Sequence, residues 1–122
     1  MKKKILVADD DASIADLLDT SFSEEGYAVS KATQSLRFYD KVREEQPDLI
    51  LLDLMMPYLE GEDELRLMKL SQDTANIPVI VVTARQDTDK DEATLRQLGV
   101  LHIVHKPFDL NQLITLVKQT IG

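Results

Sequence analysis

Four short stretches of this 122-residue chain hold side chains whose types could do chemistry together. Asp9, Asp10 and Asp11 follow the apolar run Ile5-Leu6-Val7-Ala8. Asp53 follows Leu49-Ile50-Leu51-Leu52 and precedes Leu54-Met55-Met56-Pro57. Thr83 closes Val79-Ile80-Val81-Val82, and Lys106 stands before Pro107-Phe108, just past the weaker apolar run Leu101 to Val104. Carboxylates gathered in one place repel each other unless a cation or protons compensate. Carboxylate oxygens with water suit Mg2+, which takes one or two protein carboxylates and keeps several waters. Mn2+ is a possible substitute. A hydroxyl and an ammonium added to that set describe a site for a phosphoryl group. The cation and the lysine neutralise its oxygens, the threonine donates to one of them, and a carboxylate can be the nucleophile. No glycine-rich cradle and no GxxxxGK[ST] run is present, which argues against the phosphate of a bound nucleotide.

Each residue has a plainer reading when taken singly. Asp10 or Asp11 could cap a helix, Asp53 could turn the chain after a strand, and Thr83 could simply finish one. Lys106 could be a solvated charge beside a proline turn. His102 and His105, three apart on a strand, point to opposite faces and cannot easily share a metal. Met55-Met56 reads as packing and loop. The elements that carry the residues tip the balance towards shared chemistry. The continuous aliphatic runs suit strands buried on both faces, as in a parallel sheet. Tyr27 to Lys31 and Leu101 to Val104 are weaker strands. Ile14, Leu17, Leu18 and Phe22 form a helical stripe closed by Gly26. Leu110, Leu113, Ile114, Val117 and Ile121 form another, with Asp109 at its cap. Helices over 35–46, 62–74 and 89–98 complete a β-α alternation repeated five times. That order predicts an α/β domain, a doubly wound parallel sheet with helices on both faces. Such sheets put ligands at the carboxyl ends of their strands, where all four stretches fall.

Composition narrows the function classes. With no cysteine, thiolate zinc sites, thiol nucleophiles and disulfides are excluded. Fourteen Lys and Arg against 22 Asp and Glu leave a net charge of −8, the wrong balance for nucleic acid or an anionic membrane surface. The apolar run after Lys2-Lys3-Lys4 is too short for a signal peptide, and no stretch approaches a membrane span. A single domain over residues 1–122 in the cytoplasm is expected.

Taken in order, Ile5 to Asp11, Pro47 to Pro57, Val81-Val82-Thr83-Ala84 and Lys106-Pro107-Phe108 resemble the receiver domain of two-component response regulators (CheY-like). The resemblance covers essentially the whole chain. It implies a flavodoxin-like five-stranded sheet of order 2-1-3-4-5. It also implies that Asp53 accepts a phosphoryl group from a phosphohistidine on a sensor histidine kinase or histidine phosphotransfer protein. Asp9 and Asp10 then match the acidic pair of the Mg2+ site, Asp10 as direct ligand and Asp9 acting largely through water. Asp53 itself and the backbone carbonyl of Met55 complete the metal site. Thr83 matches the hydroxyl that moves to meet the phosphoryl group and Lys106 the family's lysine, joined to Pro107 by a cis bond. Gly61 matches the glycine closing the loop after the acceptor strand. Such a domain is a switch that phosphorylates and dephosphorylates itself, not an enzyme with a free substrate. It acts on a downstream protein or a fused output domain, as a monomer or as a dimer formed on activation.

Some positions depart from the pattern. Ile103 stands where the family commonly has an aromatic residue whose rotamer follows the hydroxyl, and isoleucine is stiff at χ1. His102 and His105 occupy usually small or aliphatic positions. One extra residue lies between Thr83 and Gly99, which points to an unusual loop at Gln86-Asp87. Tyr58-Leu59-Glu60 replaces a small-apolar-acidic run. A phosphohydrolase of the haloacid dehalogenase type would also use an aspartate after a buried strand. It needs a second acid two residues on, and Met55 stands there. A flavin or nucleotide binder on the same fold would not meet phosphate with three aspartates. The alternative left open is an interaction module of the same fold that is not phosphorylated.

Overall fold

The computed structural model describes residues 2–33, 38–54, 61–85 and 92–122. Ten elements alternate along them: β1 (Lys4–Ala8), α1 (Ala12–Glu24), β2 (Ala28–Ala32), α2 (Phe38–Glu45), β3 (Leu49–Leu52), α3 (Gly61–Leu70), β4 (Val79–Thr83), α4 (Glu92–Gln97), β5 (Val100–His105) and α5 (Leu110–Ile121). The strands form one parallel sheet in the order β2-β1-β3-β4-β5. This is the flavodoxin-like arrangement expected from the sequence.

Successive strand residues point to opposite faces, and the core divides accordingly. Leu6, Ala8, Ile50, Leu52, Val79 and Val81 meet Phe38 and Val42 of α2, Leu65 and Met68 of α3, and Leu95 of α4. Ile5, Val7, Leu49, Leu51, Ile80 and Val82 meet Ala15, Leu18 and Phe22 of α1 and Leu113 and Val117 of α5. The central strands β3 and β4 are therefore buried throughout, which is why their sequences read as unbroken aliphatic runs. The edge strands β2 and β5 are partly exposed and give a weaker signal.

Local details bear on the expectations. Gly26 and Gly99 adopt φ of 97° and 94°, the left-handed turn that ends α1 and the α4 segment and that glycine enters without steric cost. Asp11, not Asp10, caps α1, accepting from the Ser13 and Ile14 N–H groups at 3.0 and 3.4 Å. Asp109 caps α5, accepting from Gln112 N–H at 3.0 Å. Leu17 departs from its predicted place: it is 43% exposed, because the buried arc of α1 runs through Ala15, Leu18 and Phe22. The third helix ends at Leu70, earlier than residue 74. Residues 71–76 form turns instead, held where the buried Thr74 hydroxyl donates to the Met68 carbonyl at 2.7 Å. The expected starts of α2 at 35 and of α4 at 89 lie outside the described residues.

β5 contains an irregularity that matters at its far end. Val79 pairs with Val100, but Ile80 pairs with His102, so Leu101 is an extra residue on the edge strand. Such a bulge shifts all later pairing by one position. Thr83 consequently stands opposite His105. No helix among the described residues is long and apolar enough to cross a membrane.

Candidate functional site

The backbone ladder continues one residue past three strands, and those residues carry the chemistry. Asp9 N–H donates to the Ala32 carbonyl of β2 at 3.2 Å, Asp53 N–H to the Ala8 carbonyl of β1 at 2.9 Å, and Lys106 N–H to the Thr83 carbonyl of β4 at 2.8 Å. Each side chain is therefore anchored by a main-chain hydrogen bond to a neighbouring strand. Asp9, Asp53 and Thr83 are buried, while Asp10 is exposed.

Lys106 joins two of these strand ends. Its Nζ donates to Asp9 Oδ2 at 2.7 Å and to Asp53 Oδ2 at 2.9 Å. The other Asp9 oxygen accepts from Asp11 N–H at 2.9 Å. Carboxylate oxygens of Asp9, Asp10 and Asp53 all lie within 4.8 Å of one another. This all-oxygen donor set, part buried and part open to solvent, fits a hard divalent cation such as Mg2+. Thr83 is fully buried at the end of β4, its Oγ1 accepting from Arg85 N–H at 3.2 Å. The Lys106–Pro107 peptide bond is cis. Met55, Tyr58 to Glu60 and the loop at Gln86-Asp87 lie outside the described residues. Ile103 pairs with Val81 and is half-buried against the core on the α2–α4 side of the sheet.

The family model described as response regulator receiver domain matches residues 5–118. The chain belongs to the response regulator receiver family. It is 38% identical over 119 residues to sporulation initiation phosphotransferase F of Bacillus subtilis, covering 98% of this chain and 94% of that protein. Among solved structures it is similar to the receiver domain of a Francisella response regulator, with 32% identity and a TM-score of 0.85 over 98% of this chain and 97% of the other. It is also similar to the signal receiver domain of a DNA-binding response regulator from Colwellia psychrerythraea, with 30% identity and a TM-score of 0.85 over 97% of each chain. As a receiver domain it is a phosphorylation-controlled switch. It catalyses its own phosphorylation and dephosphorylation and does not turn over a free substrate. Receiver domains pair with histidine kinases or phosphotransfer proteins.

The receiver site carries an electrostatic load that its ammonium only partly relieves. Burial pushes the Asp9 carboxyl above its ordinary 3.8, outweighing the hydrogen bonds from Lys106 and Asp11. Burial pulls the Lys106 ammonium down, but its hydrogen bonds to Asp9 and Asp53 outweigh this and hold it above 10.5. A carboxyl raised on folding contributes stability below its unfolded value, and that contribution is lost as pH rises through the folded value. Keeping Asp9 ionised at pH 7 therefore costs stability in the metal-free receiver. Asp9→Asn, which keeps an acceptor for Lys106, is expected to raise metal-free stability at pH 7 by about 1 kcal/mol. The gain should shrink as pH falls towards 4. Urea unfolding in the presence of a chelator at both pH values measures this, and a loss at pH 7 would contradict it.

From the sequence, His105 is only a residue that cannot easily share a metal with His102. In the receiver fold its ring Nδ1 lies 3.1 Å from the Arg85 carbonyl oxygen, beside the Thr83 and Lys106 strand ends. Its place immediately before Lys106 at a strand end was the available signal. His102 is exposed, pairs with Ile80 and does not join the acidic cluster.

Proposed function

We propose that residues 1–122 act as one receiver unit in the cytoplasm, in which Asp53 accepts a phosphoryl group from a phosphohistidine on a sensor histidine kinase or histidine phosphotransfer protein. One observation carries this reading. The Lys106 ammonium bridges Asp9 and Asp53 at the sheet end, with the Asp10 carboxylate beside them. The 38%-identical Bacillus relative is itself called a phosphotransferase.

Asp9, Asp10, Asp53 and the carbonyl of Met55 would hold Mg2+, or Mn2+ in its place. When bound, the ion supplies Lewis-acid charge to the phosphoryl oxygens. The chain's own groups do the rest. An Asp53 carboxylate oxygen forms a bond to phosphorus while the bond from phosphorus to the donor imidazole nitrogen breaks. The electron pair of that bond stays on the donor nitrogen, and Asp53 has no proton to lose. The Lys106 ammonium moves from a carboxylate partner to a phosphoryl oxygen, and the Thr83 hydroxyl donates to another. In the reverse of activation, water attacks phosphorus, the acyl phosphate bond breaks and the Asp53 carboxylate returns with release of inorganic phosphate. The phosphoryl group makes contacts in one conformation that it lacks in the other, and this difference shifts the equilibrium between them. The responding surface then meets a downstream protein or a fused output domain, as a monomer or as a dimer formed on activation.

Intact-mass measurement after incubation with Mg2+ and a small acyl-phosphate donor tests the reading. One added phosphate is expected on the wild type, with none when Mg2+ is withheld and none on Asp53→Asn. A folded wild type that never gains the phosphate would instead mark an interaction module that keeps the acidic site without its chemistry.

A further inference from the structure

We propose that His105 is a positioning residue for phosphoryl transfer, holding the Thr83 hydroxyl and the Lys106 ammonium in register through the Arg85 backbone. This rests on the reading that Asp53 is phosphorylated, and it assigns a role to a side chain that the metal and acceptor chemistry leaves unused.

The four residues form a closed ring. Lys106 N–H donates to the Thr83 carbonyl at 2.8 Å. His105, next to Lys106 in the chain, contacts the Arg85 carbonyl through Nδ1 at 3.1 Å. Arg85 N–H donates to Thr83 Oγ1 at 3.2 Å, which returns to the starting residue. A carbonyl oxygen only accepts, so the ring nitrogen facing it carries the proton. Because Thr83 Oγ1 accepts from Arg85, its own O–H remains available to donate elsewhere. The bulge at Leu101 sets up the ring, for it is the one-residue shift that brings His105, and not Val104, opposite Thr83.

The ring ends on the two groups that meet the transferring oxygens. Thr83 is buried and has little freedom of its own, so the placement of its hydroxyl follows the Arg85 backbone. Lys106 is held to Thr83 by its main chain and to Asp9 and Asp53 by its side chain. Releasing the Arg85 carbonyl would let the turn after β4 shift relative to β5. Small misplacements of this kind lower the rate of positioned reactions steeply. The imidazole of His105 thus couples the turn after β4 to the end of β5.

The chemistry of the contact supplies the test. Asn presents its Nδ2 donor at the same number of bonds from the backbone as His Nδ1, whereas Gln presents its donor one bond further out and Leu has none. Wild type, His105→Asn, His105→Gln and His105→Leu are phosphorylated with a small acyl-phosphate donor at saturating Mg2+, and formation and decay of the Asp53 phosphate are timed. His105→Leu and His105→Gln are expected to be about 10-fold slower in both directions. His105→Asn should stay within about 2-fold of wild type. The donor and Mg2+ half-saturation concentrations and the urea midpoint should be unchanged, since His105 is exposed. A His105→Leu variant as fast as a phosphorylatable wild type overturns the positioning role alone. So does an Asn variant as slow as Leu, or a change confined to half-saturation. A wild type that takes no phosphate overturns the Asp53 reading and this role with it.

Discussion

Replacing Lys106 by methionine is expected to slow phosphoryl transfer to Asp53 by about 10²- to 10³-fold, the usual cost of removing one preorganised donor from developing negative charge. Methionine keeps much of the stem and removes the ammonium. The same change should cost the metal-free protein stability. The ammonium lies 2.7 and 2.9 Å from the two buried carboxylates, and removing one side of such a cluster costs about 3 kcal/mol. A group raised on folding, as Lys106 is above 10.5, contributes stability that is fully present below its unfolded value. That contribution is lost only as pH rises through the folded value. The deficit should therefore hold throughout the neutral range. Mg2+ should restore more stability to the variant than it adds to the wild type, because no ammonium competes for the Asp9 and Asp53 oxygens. Unfolding with and without Mg2+, together with the rate of mass gain, measures both effects. A variant as stable as wild type without metal would contradict the bridging role.

The second large effect is structural. Phe22 is fully buried on the inner face of α1, its ring edge-on to Tyr27 with centroids 5.9 Å apart. Phe22→Ala should cost about 4 kcal/mol, from lost transfer energy and the cavity left behind. That is a large part of the 5–15 kcal/mol typical of a domain and corresponds to a fall of about 15 °C in Tm. Leu17→Ala, five residues earlier on the same helix, should change stability by less than about 0.5 kcal/mol because its side chain is exposed. Thermal unfolding of the two variants side by side checks the assignment of the buried arc. Equal losses would mean that Leu17 packs after all.

This contrast between Leu17 and Phe22 shows where the sequence was readable. Periodicity places an apolar stripe on α1 but does not fix its width, and three or four candidate positions can share an arc that buries fewer. The central strands were plain, since Leu49 to Leu52 and Val79 to Thr83 are covered on both faces and admit little but aliphatic side chains. The edge strands were blurred because half their surface meets solvent. Ending α3 at Leu70 depended on the Thr74 hydroxyl reaching back to the Met68 carbonyl, a contact that periodicity does not encode. At the site, the strand-end rule drew Asp9, Asp53, Thr83 and Lys106 to one edge. The side-chain types alone left the cap of α1 between Asp10 and Asp11, and the geometry assigns it to Asp11. The contact of His105 with Arg85 was hidden because it depends on a one-residue bulge at Leu101, and a bulge leaves no periodic trace.

The hydrogen bonds from Lys106 span 97 residues to Asp9 and 53 to Asp53, and this has a consequence during synthesis. Chains emerge from the ribosome N-terminus first, at about 5–20 residues per second. The acidic cluster is therefore made several seconds before the cation that neutralises it. Until β5 docks against β4, a nascent chain holds the Asp9 and Asp53 carboxylates without the ammonium that bridges them and without the strand that pairs with Thr83. Completion of the receiver site thus waits on the pairing of an edge strand, the last of the five to be made.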